Sequence, residues 1–439
     1  MFQYYFSLGM RGLRRNPVLT ALMILTLAIG VAASVSTLTI LHIMSGDPIP
    51  SKSSRLFSPL LDNDPLATYV PGVRNPFAVQ MTYQDTVNFL ASGQGTHRTA
   101  VLDVDAPIEP ARPDLPPIAP AAVAVTSDFF PMFDVPFLQG GPWSAEDDRK
   151  AANVVVLGRE QAATLFGAGN AVGKHLRVWN RDFEVVGVIA DWRPVPRYTH
   201  LLNSSGGRFN GQDDFFVPFS AAIAAERTSN ANTTCGDDGG IGYQGLLKSE
   251  CTWIQFWFET ASASDRGALQ SWIDSYTREQ RRLGRFPRPT PNRLYNVTEW
   301  LDFMGVVQKD NQAAVWLSFG FLALCMVNTM GLLLAKFSSR AAEVGVRRAL
   351  GATQGAIFRQ FLVETGVIGM AGGALGLGLS FAALWVIRQQ SKDLSVVAHM
   401  DWEMLGLTFA IAVGASLFAG LLPTWRSSRT TPALQLKSQ

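Results

Sequence analysis

The sequence predicts a membrane protein with four transmembrane α-helices and a large α+β extracytoplasmic domain. Three observations carry that prediction. Charged residues make up only 16% of the 439, where a typical soluble domain carries about 25%. The missing charge is concentrated in four runs without Asp, Glu, Lys or Arg, at residues 18–44, 313–335, 365–387 and 404–425. Between the first two runs lie 268 residues, 45–312, of ordinary soluble composition. The net charge of +2 balances 37 basic against 35 acidic side chains, which excludes the basic excess of a nucleic-acid binder. The 47% hydrophobic content excludes a disordered chain.

Residues 1–17 form a basic lead, with Arg11, Arg14 and Arg15 and no acidic side chain. The first run, 27 residues long, is about twice a signal-peptide core, so it reads as a retained anchor. It exceeds the roughly 20 residues needed to cross about 30 Å of hydrocarbon. The outer segment alternates short strands and helices. Strand character falls at Phe57, 121–125, 152–157, 183–189, 252–260 and 294–297, where β-branched and aromatic residues cluster. Helical spacing falls at 83–90, 161–166 and 264–283, the last with Leu269, Trp272, Ile273 and Tyr276 on one face. A Ser127 or Asp128 cap is expected before Phe129. Residues 191–245, rich in Gly, Asn and Ser, read as a variable loop region.

The second span is expected at 313–335, a cytoplasmic segment at 336–358, and the third span at 359–387. A short outer loop at 388–403, the fourth span at 404–425 and a cytoplasmic tail at 426–439 complete the chain. Lys and Arg at 336–359 and after 425 place both termini and the middle segment on the cytoplasmic side. The third span carries Gly369/Gly373 and Gly372/Gly376, each at the small-xxx-small spacing that lets helix backbones approach closely. Glu364, near Arg359, is expected either to make a polar contact between helices or to sit at the interface.

Cys235 and Cys251 fall in the outer segment, where an oxidising compartment favours a disulfide. Such a bridge would close a loop of about 15 residues and contribute roughly 3 kcal/mol; two free thiols are the alternative. Cys325 lies in the second span and reads as a packing residue. Residues 167–175, GAGNAVGKH, fail as a phosphate-binding loop, because Ala168 and His175 stand where Gly and Ser or Thr are required. The five histidines show no metal-ligand spacing, and no nucleophile elbow occurs. No enzyme activity, metal or cofactor is expected in this chain.

The middle segment, SRAAEVGVRRALGATQGAIF at 339–358, carries the strongest signal. Ala342, Val346, Ala349 and Leu350 share one helical face, and Glu343 and Arg347 form an i,i+4 pair, worth about 0.2–0.5 kcal/mol. Gly351 is placed to end that helix. The pattern suits docking on a cytoplasmic partner or anchoring on lipid.

Three stretches resemble the MacB/FtsX-like permeases of ABC transporters (type VII). RAAEVGVRRALGATQGAIFRQFLVE at 340–364 is similar to the family's coupling segment. VAVTSDFFPMFDVPFLQGG, VVVLGREQAATLFG, AVGK and FEVVGVI within 123–189 resemble its periplasmic core. GLLPTWRSSRTTPALQL at 420–436 resembles its C-terminal signature. Residues 191–250 depart from the pattern.

The resemblance implies a permease in the bacterial inner membrane that works as a dimer, with a second copy or a paralogue. A separate cytoplasmic ABC ATPase would bind ATP and Mg and hydrolyse the ATP. A periplasmic adaptor and an outer-membrane duct are further implied partners, besides membrane lipid and without nucleic acid. The outer domain is expected as a porter-like part, with 121–140 and 252–297 flanking an inserted subdomain. The coupling role falls on Arg340, Glu343, Gly345, Arg347, Arg348, Ala349, Leu350, Gly351 and Ala352, with Arg347 and Arg348 meeting acidic groups of the ATPase. The implied action is mechanotransmission: ATP-driven closure moves the outer domains and exports or extracts an antimicrobial, peptide or lipoprotein. The alternative is a non-transporting scaffold that activates an envelope hydrolase or sensor.

Overall fold

A computed structural model describes residues 16–63, 69–73, 79–109, 120–199, 213–230, 232–235, 242–307, 309–390 and 402–428, with 66, 201–202 and 209. The basic lead, most of the 388–403 loop and the tail with Arg429 and Lys437 lie outside the described residues, as do parts of 191–250. The chain divides into two compact units, one of residues 1–44 with 307–439 and one of 45–306.

The first unit contains four long helices: α1 (Pro17–Met44), α2 (Lys309–Ser338), α4 (Gln354–Gln390) and α5 (Trp402–Ser428), with a short α3 (Ala341–Ala349) between the second and third. Each long helix is apolar enough and long enough to cross a membrane. The third begins at Gln354, five residues before the position expected from charge. Thr353 explains this, because its Oγ1 accepts from the Ala356 N–H at 3.2 Å as an N-cap. At 37 residues and 1.5 Å per residue, α4 runs about 55 Å.

The glycines of α4 are divided between two neighbours. A Cβ on Gly369 would overlap the Ser416 side chain of α5, and one on Gly373 would come within 2.8 Å of the Ala412 Cβ. A Cβ on Gly372 would meet Leu27 of α1 at 3.0 Å, and one on Gly376 the Ala28 carbonyl at 3.1 Å. The two small-xxx-small pairs therefore seat α4 between two helices. Cys325 of α2 packs in the same manner on Gly30 of α1, where an added Cβ would sit 3.0 Å away.

The second unit is built on one sheet of strands β1 (Leu56–Leu60), β2 (His97–Asp105), β3 (Ile108–Glu109), β4 (Ala121–Val125), β5 (Phe137–Gly140), β6 (Val154–Gly158), β7 (His175–Val178), β8 (Arg181–Ile189), β9 (Phe215–Pro218), β10 (Gln255–Glu259) and β11 (Arg293–Asn296). The order is β11-β1-β10-β2-β4-β9-β6-β8-β7-β3, with β5 on β8. The half β11-β1-β10-β2 comes from both ends of the segment. The half β6-β8-β7-β3 comes from its middle.

β9 joins the halves, parallel to β4 and antiparallel to β6. It lies within the stretch read from composition as variable loop, so that expectation is corrected. Its four residues, Phe-Phe-Val-Pro, are all buried, which a central strand covered on both faces requires. β2, another central strand, is also absent from the sequence reading.

One face of the sheet packs Ala100, Leu102, Val155, Leu157, Phe256 and Phe258 under helices carrying Phe89, Leu165, Leu269 and Ile273. The other face gathers rings: Trp257 lies 5.8 Å from Phe133 and 5.9 Å from Trp300. The Trp257 and Trp300 indole N–H groups donate to the carbonyls of Thr199 and Tyr198, each at 2.9 Å. Asp128 is not a side-chain cap for the helix Phe129–Met132; its carboxylate instead accepts the Arg98 N–H of β2 at 2.9 Å.

Candidate coupling site

The site expected from the middle segment is a helical turn-and-return. α2 ends at Ser338, α3 runs over two and a half turns, and α4 starts at Gln354. The reversal after α3 is a Schellman motif: Gly351 N–H donates to the Arg348 carbonyl at 3.1 Å and Ala352 N–H to the Arg347 carbonyl at 3.0 Å. Gly351 adopts φ +97°, a left-handed conformation that costs roughly 1–2 kcal/mol for a residue with a Cβ.

α3 is held to the long helices from one side. Val344 is buried in a cluster with Phe337, Ile357 and Phe361, and the Phe337 and Phe361 rings stack at 4.2 Å. Arg347 donates to the Gln360 side chain of α4 at 3.0 Å and to Glu343 at 2.7 Å. Ala352 packs against the same apolar cluster.

Arg340 opens α3, and its guanidinium reaches Glu364 at 3.0 Å. Glu364 is enclosed and also meets the Lys336 ammonium at 2.8 Å. Lys336 in turn donates to Thr20 Oγ1 of α1 at 3.1 Å. A buried charge persists only when paired and hydrogen-bonded. The cluster therefore fixes α1, α2 and α4 at the end that carries α3.

Arg359 is not the partner of Glu364; its Nε donates to the Gly355 carbonyl one turn back. Lys336 escaped the sequence reading because it looked like a flanking charge. The available signal was its spacing: Lys336 and Arg340 are four apart and share a helical face.

The residues expected to couple therefore separate by direction. Arg340, Glu343 and Arg347 contact groups within the chain, and Arg347 keeps 39% of its side chain exposed while doing so. Gly345 and Arg348 are half-buried. Ala342, Val346, Ala349 and Leu350 are exposed, Val346 by 58% and Leu350 by 83%. This row is an uncovered apolar face on a short helix whose opposite face is keyed into the bundle. In the other unit, Cys235 and Cys251 are joined by a disulfide. Among the described residues, no group of His, Cys, Asp or Glu is arranged to hold a metal.

Residues 20–276 match the MacB-like periplasmic core domain family, and residues 315–432 match the FtsX-like permease C-terminal family. A macrolide export ATP-binding/permease protein MacB from Marinobacter nauticus is 25% identical over 73% of this chain and 44% of its own length. A pyoverdine export ATP-binding/permease protein PvdT from Pseudomonas aeruginosa is 24% identical over 71% of this chain and 41% of its own. A MacB from Azoarcus sp. aligns over 98% of this chain at 25% identity and over 59% of its own length. The chain thus spans about two fifths to three fifths of these relatives. The crystal structure of the periplasmic region of MacB from Actinobacillus actinomycetemcomitans aligns at 12% identity and a TM-score of 0.35. That alignment covers 57% of this chain and 92% of the other.

Proposed function

This chain belongs to the permease family with a MacB-like periplasmic core domain and an FtsX-like C-terminal region, and from that premise we propose that it transmits ATP-driven motion across a bacterial inner membrane. In this reading a separate cytoplasmic ABC ATPase binds ATP and Mg and docks on α3. Both termini are cytoplasmic, and residues 45–306 stand in the periplasm. The permease works as a dimer, with a periplasmic adaptor and an outer-membrane duct as further partners. The cargo is an antimicrobial, peptide or lipoprotein taken from the periplasmic side. The relatives' names, for macrolide and pyoverdine export, support export over scaffolding.

The observation that carries the proposal is the apolar row Ala342, Val346, Ala349 and Leu350. Burying the Val346 and Leu350 side chains in a partner gains up to about 1.5–3 kcal/mol each, a substantial share of the roughly 4 kcal/mol or more that association itself costs. The inner contacts then turn docking into displacement: a push on α3 is delivered to α4 through Arg347–Gln360 and to α1 and α2 through Arg340–Glu364–Lys336. Stiff helices then carry the displacement across the membrane.

The test is Val346→Asp with Leu350→Asp in the permease co-expressed with its ATPase. Both side chains are exposed, so the thermal stability of the permease should hold while ATPase co-purification and cargo export fall at least tenfold. Unchanged co-purification and export would remove α3 as the docking element.

A further inference from the structure

The outer unit carries a groove at the end of its sheet that the proposed function does not use. β11 is the terminal strand of the sheet and pairs with β1. Beside it, the helices Arg266–Arg282 and Val297–Phe303 leave a cavity of about 370 Å³, lined by Arg266, Gln270, Arg293, Tyr295, Glu299 and Asp302 over the buried Leu294. That volume lies at the small end of the range for ligand sites, about 300–1,000 Å³.

The walls are held by the fold itself. Arg266 donates to both oxygens of Glu299, each at 2.8 Å, and to the Leu294 carbonyl at 2.6 Å. Glu299 closes a capping box with Asn296. The Tyr295 ring stacks on Phe303 at 4.6 Å. A groove fixed in this way loses little freedom when a ligand enters. Because Arg266 occupies the Leu294 carbonyl, an added strand would find that main-chain acceptor taken. The groove therefore suits the capture of a chain end rather than strand addition.

Arg266 and Glu299 neutralise each other, and three other groups are left to recognise a ligand. Arg293 is exposed, and its guanidinium makes no hydrogen bond or ion pair among the described residues. Gln270 donates its Nε2 hydrogens to Asp274 at 3.0 Å and to the Asn292 carbonyl at 3.3 Å, which leaves Oε1 as an acceptor. Asp302, on the second helix, supplies a carboxylate. Arg293 stands three strand residues, about 10 Å, before Asn296, the cap of the helix that carries Asp302. That spacing matches the two ends of a short peptide rather than the amine and carboxylate of one amino acid.

We infer that this groove binds a short zwitterionic peptide. Arg293 holds the C-terminal carboxylate, for which a guanidinium fork is the matching shape. Gln270 Oε1 accepts a main-chain N–H, and Asp302 receives the terminal ammonium. Two arginines against two carboxylates suit a zwitterion, whereas a polyanion would be repelled by both acidic side chains. The inference goes beyond the permease reading and does not depend on it.

Calorimetric titration of the full-length permease in lipid nanodiscs tests it, with trialanine as the probe. Trialanine should bind, and its C-terminal amide should bind about tenfold more weakly, the worth of one hydrogen bond to a charged group. Arg293→Gln should lower trialanine affinity by a similar factor and bind the acid and the amide equally, because the two changes remove the same contact. Asp302→Asn should do the same for trialanine against its N-acetyl derivative. Arg293→Lys, which keeps the charge, should lose less than Arg293→Gln.

No binding of trialanine, equal affinity of the parent for acid and amide, or an acid preference that survives Arg293→Gln would overturn the inference. So would alanine or inorganic phosphate binding as tightly as trialanine, which would make the groove a site for any small anion. None of these outcomes bears on α3 as the docking element, which Val346→Asp with Leu350→Asp tests separately.

Discussion

Replacing Glu364 by alanine isolates the energetics of the buried cluster. Lys336 and Glu364 are both fully enclosed. Removing the carboxylate leaves the Lys336 ammonium with Thr20 Oγ1 as an acceptor at 3.1 Å and takes a carboxylate away from Arg340. Breaking a buried pair in this way costs about 3–5 kcal/mol, whereas replacing both members by apolar residues of similar volume is often close to neutral. Arg340, about a tenth exposed, can turn its guanidinium toward the surface, which trims the cost at that end. The expectation is a loss of about 3–5 kcal/mol for Glu364→Ala, and less than about half of that for Lys336→Met with Glu364→Leu. Equilibrium unfolding in mixed micelles, followed by tryptophan fluorescence, reads both. A single variant within about 1 kcal/mol of the parent, or a double variant no better than the single, would refute the claim that these charges lock the helices together.

Two further outcomes follow from local geometry. Gly369→Val should cost about 1–3 kcal/mol by overpacking, because its Cβ overlaps Ser416, while Gly378→Ala meets open space and should be neutral or slightly stabilising; similar losses from both in the same unfolding assay would contradict the assigned faces. Burial raises the Glu299 pKa, but the bidentate Arg266 guanidinium and the Asn296 N–H outweigh it and hold the carboxyl below its ordinary 4.5. Its folded pKa is thus depressed, so its stabilisation is present above the ordinary carboxylate pKa and lost as pH falls through the folded value. For a pair this exposed the contribution is at most about 1 kcal/mol, and Glu299→Gln should flatten that acid limb in a melting series.

The four spans were legible in the sequence because hydrocarbon imposes a one-dimensional rule: about twenty consecutive residues without charge. The end of α3 was legible for a similar reason, since Gly351 supplies a backbone angle that is local to one residue. The glycine pairs announced close helix contacts, though not with which helices. That division, Gly369 and Gly373 toward α5 and Gly372 and Gly376 toward α1, depends on how α4 is rotated in the bundle.

β9 was invisible because four buried residues carry no alternation, and its flanks have loop composition. Only its pairing with β4 and β6 identifies it as the strand that joins the two halves of the sheet. The charges near α3 show the same limit. Sequence spacing pairs Glu343 with Arg347 and suggests that arginines face outward. Glu364, 24 residues further on, turns Arg340 inward, and Gln360, 13 residues further on, ties Arg347 to α4 while leaving it partly exposed. The sequence by itself determined where the chain crosses a membrane and where a short helix interrupts it, because lipid and backbone conformation act on consecutive residues. Tertiary structure alone decided which side of that helix is bound and which is free, because burial is settled by neighbours distant along the chain.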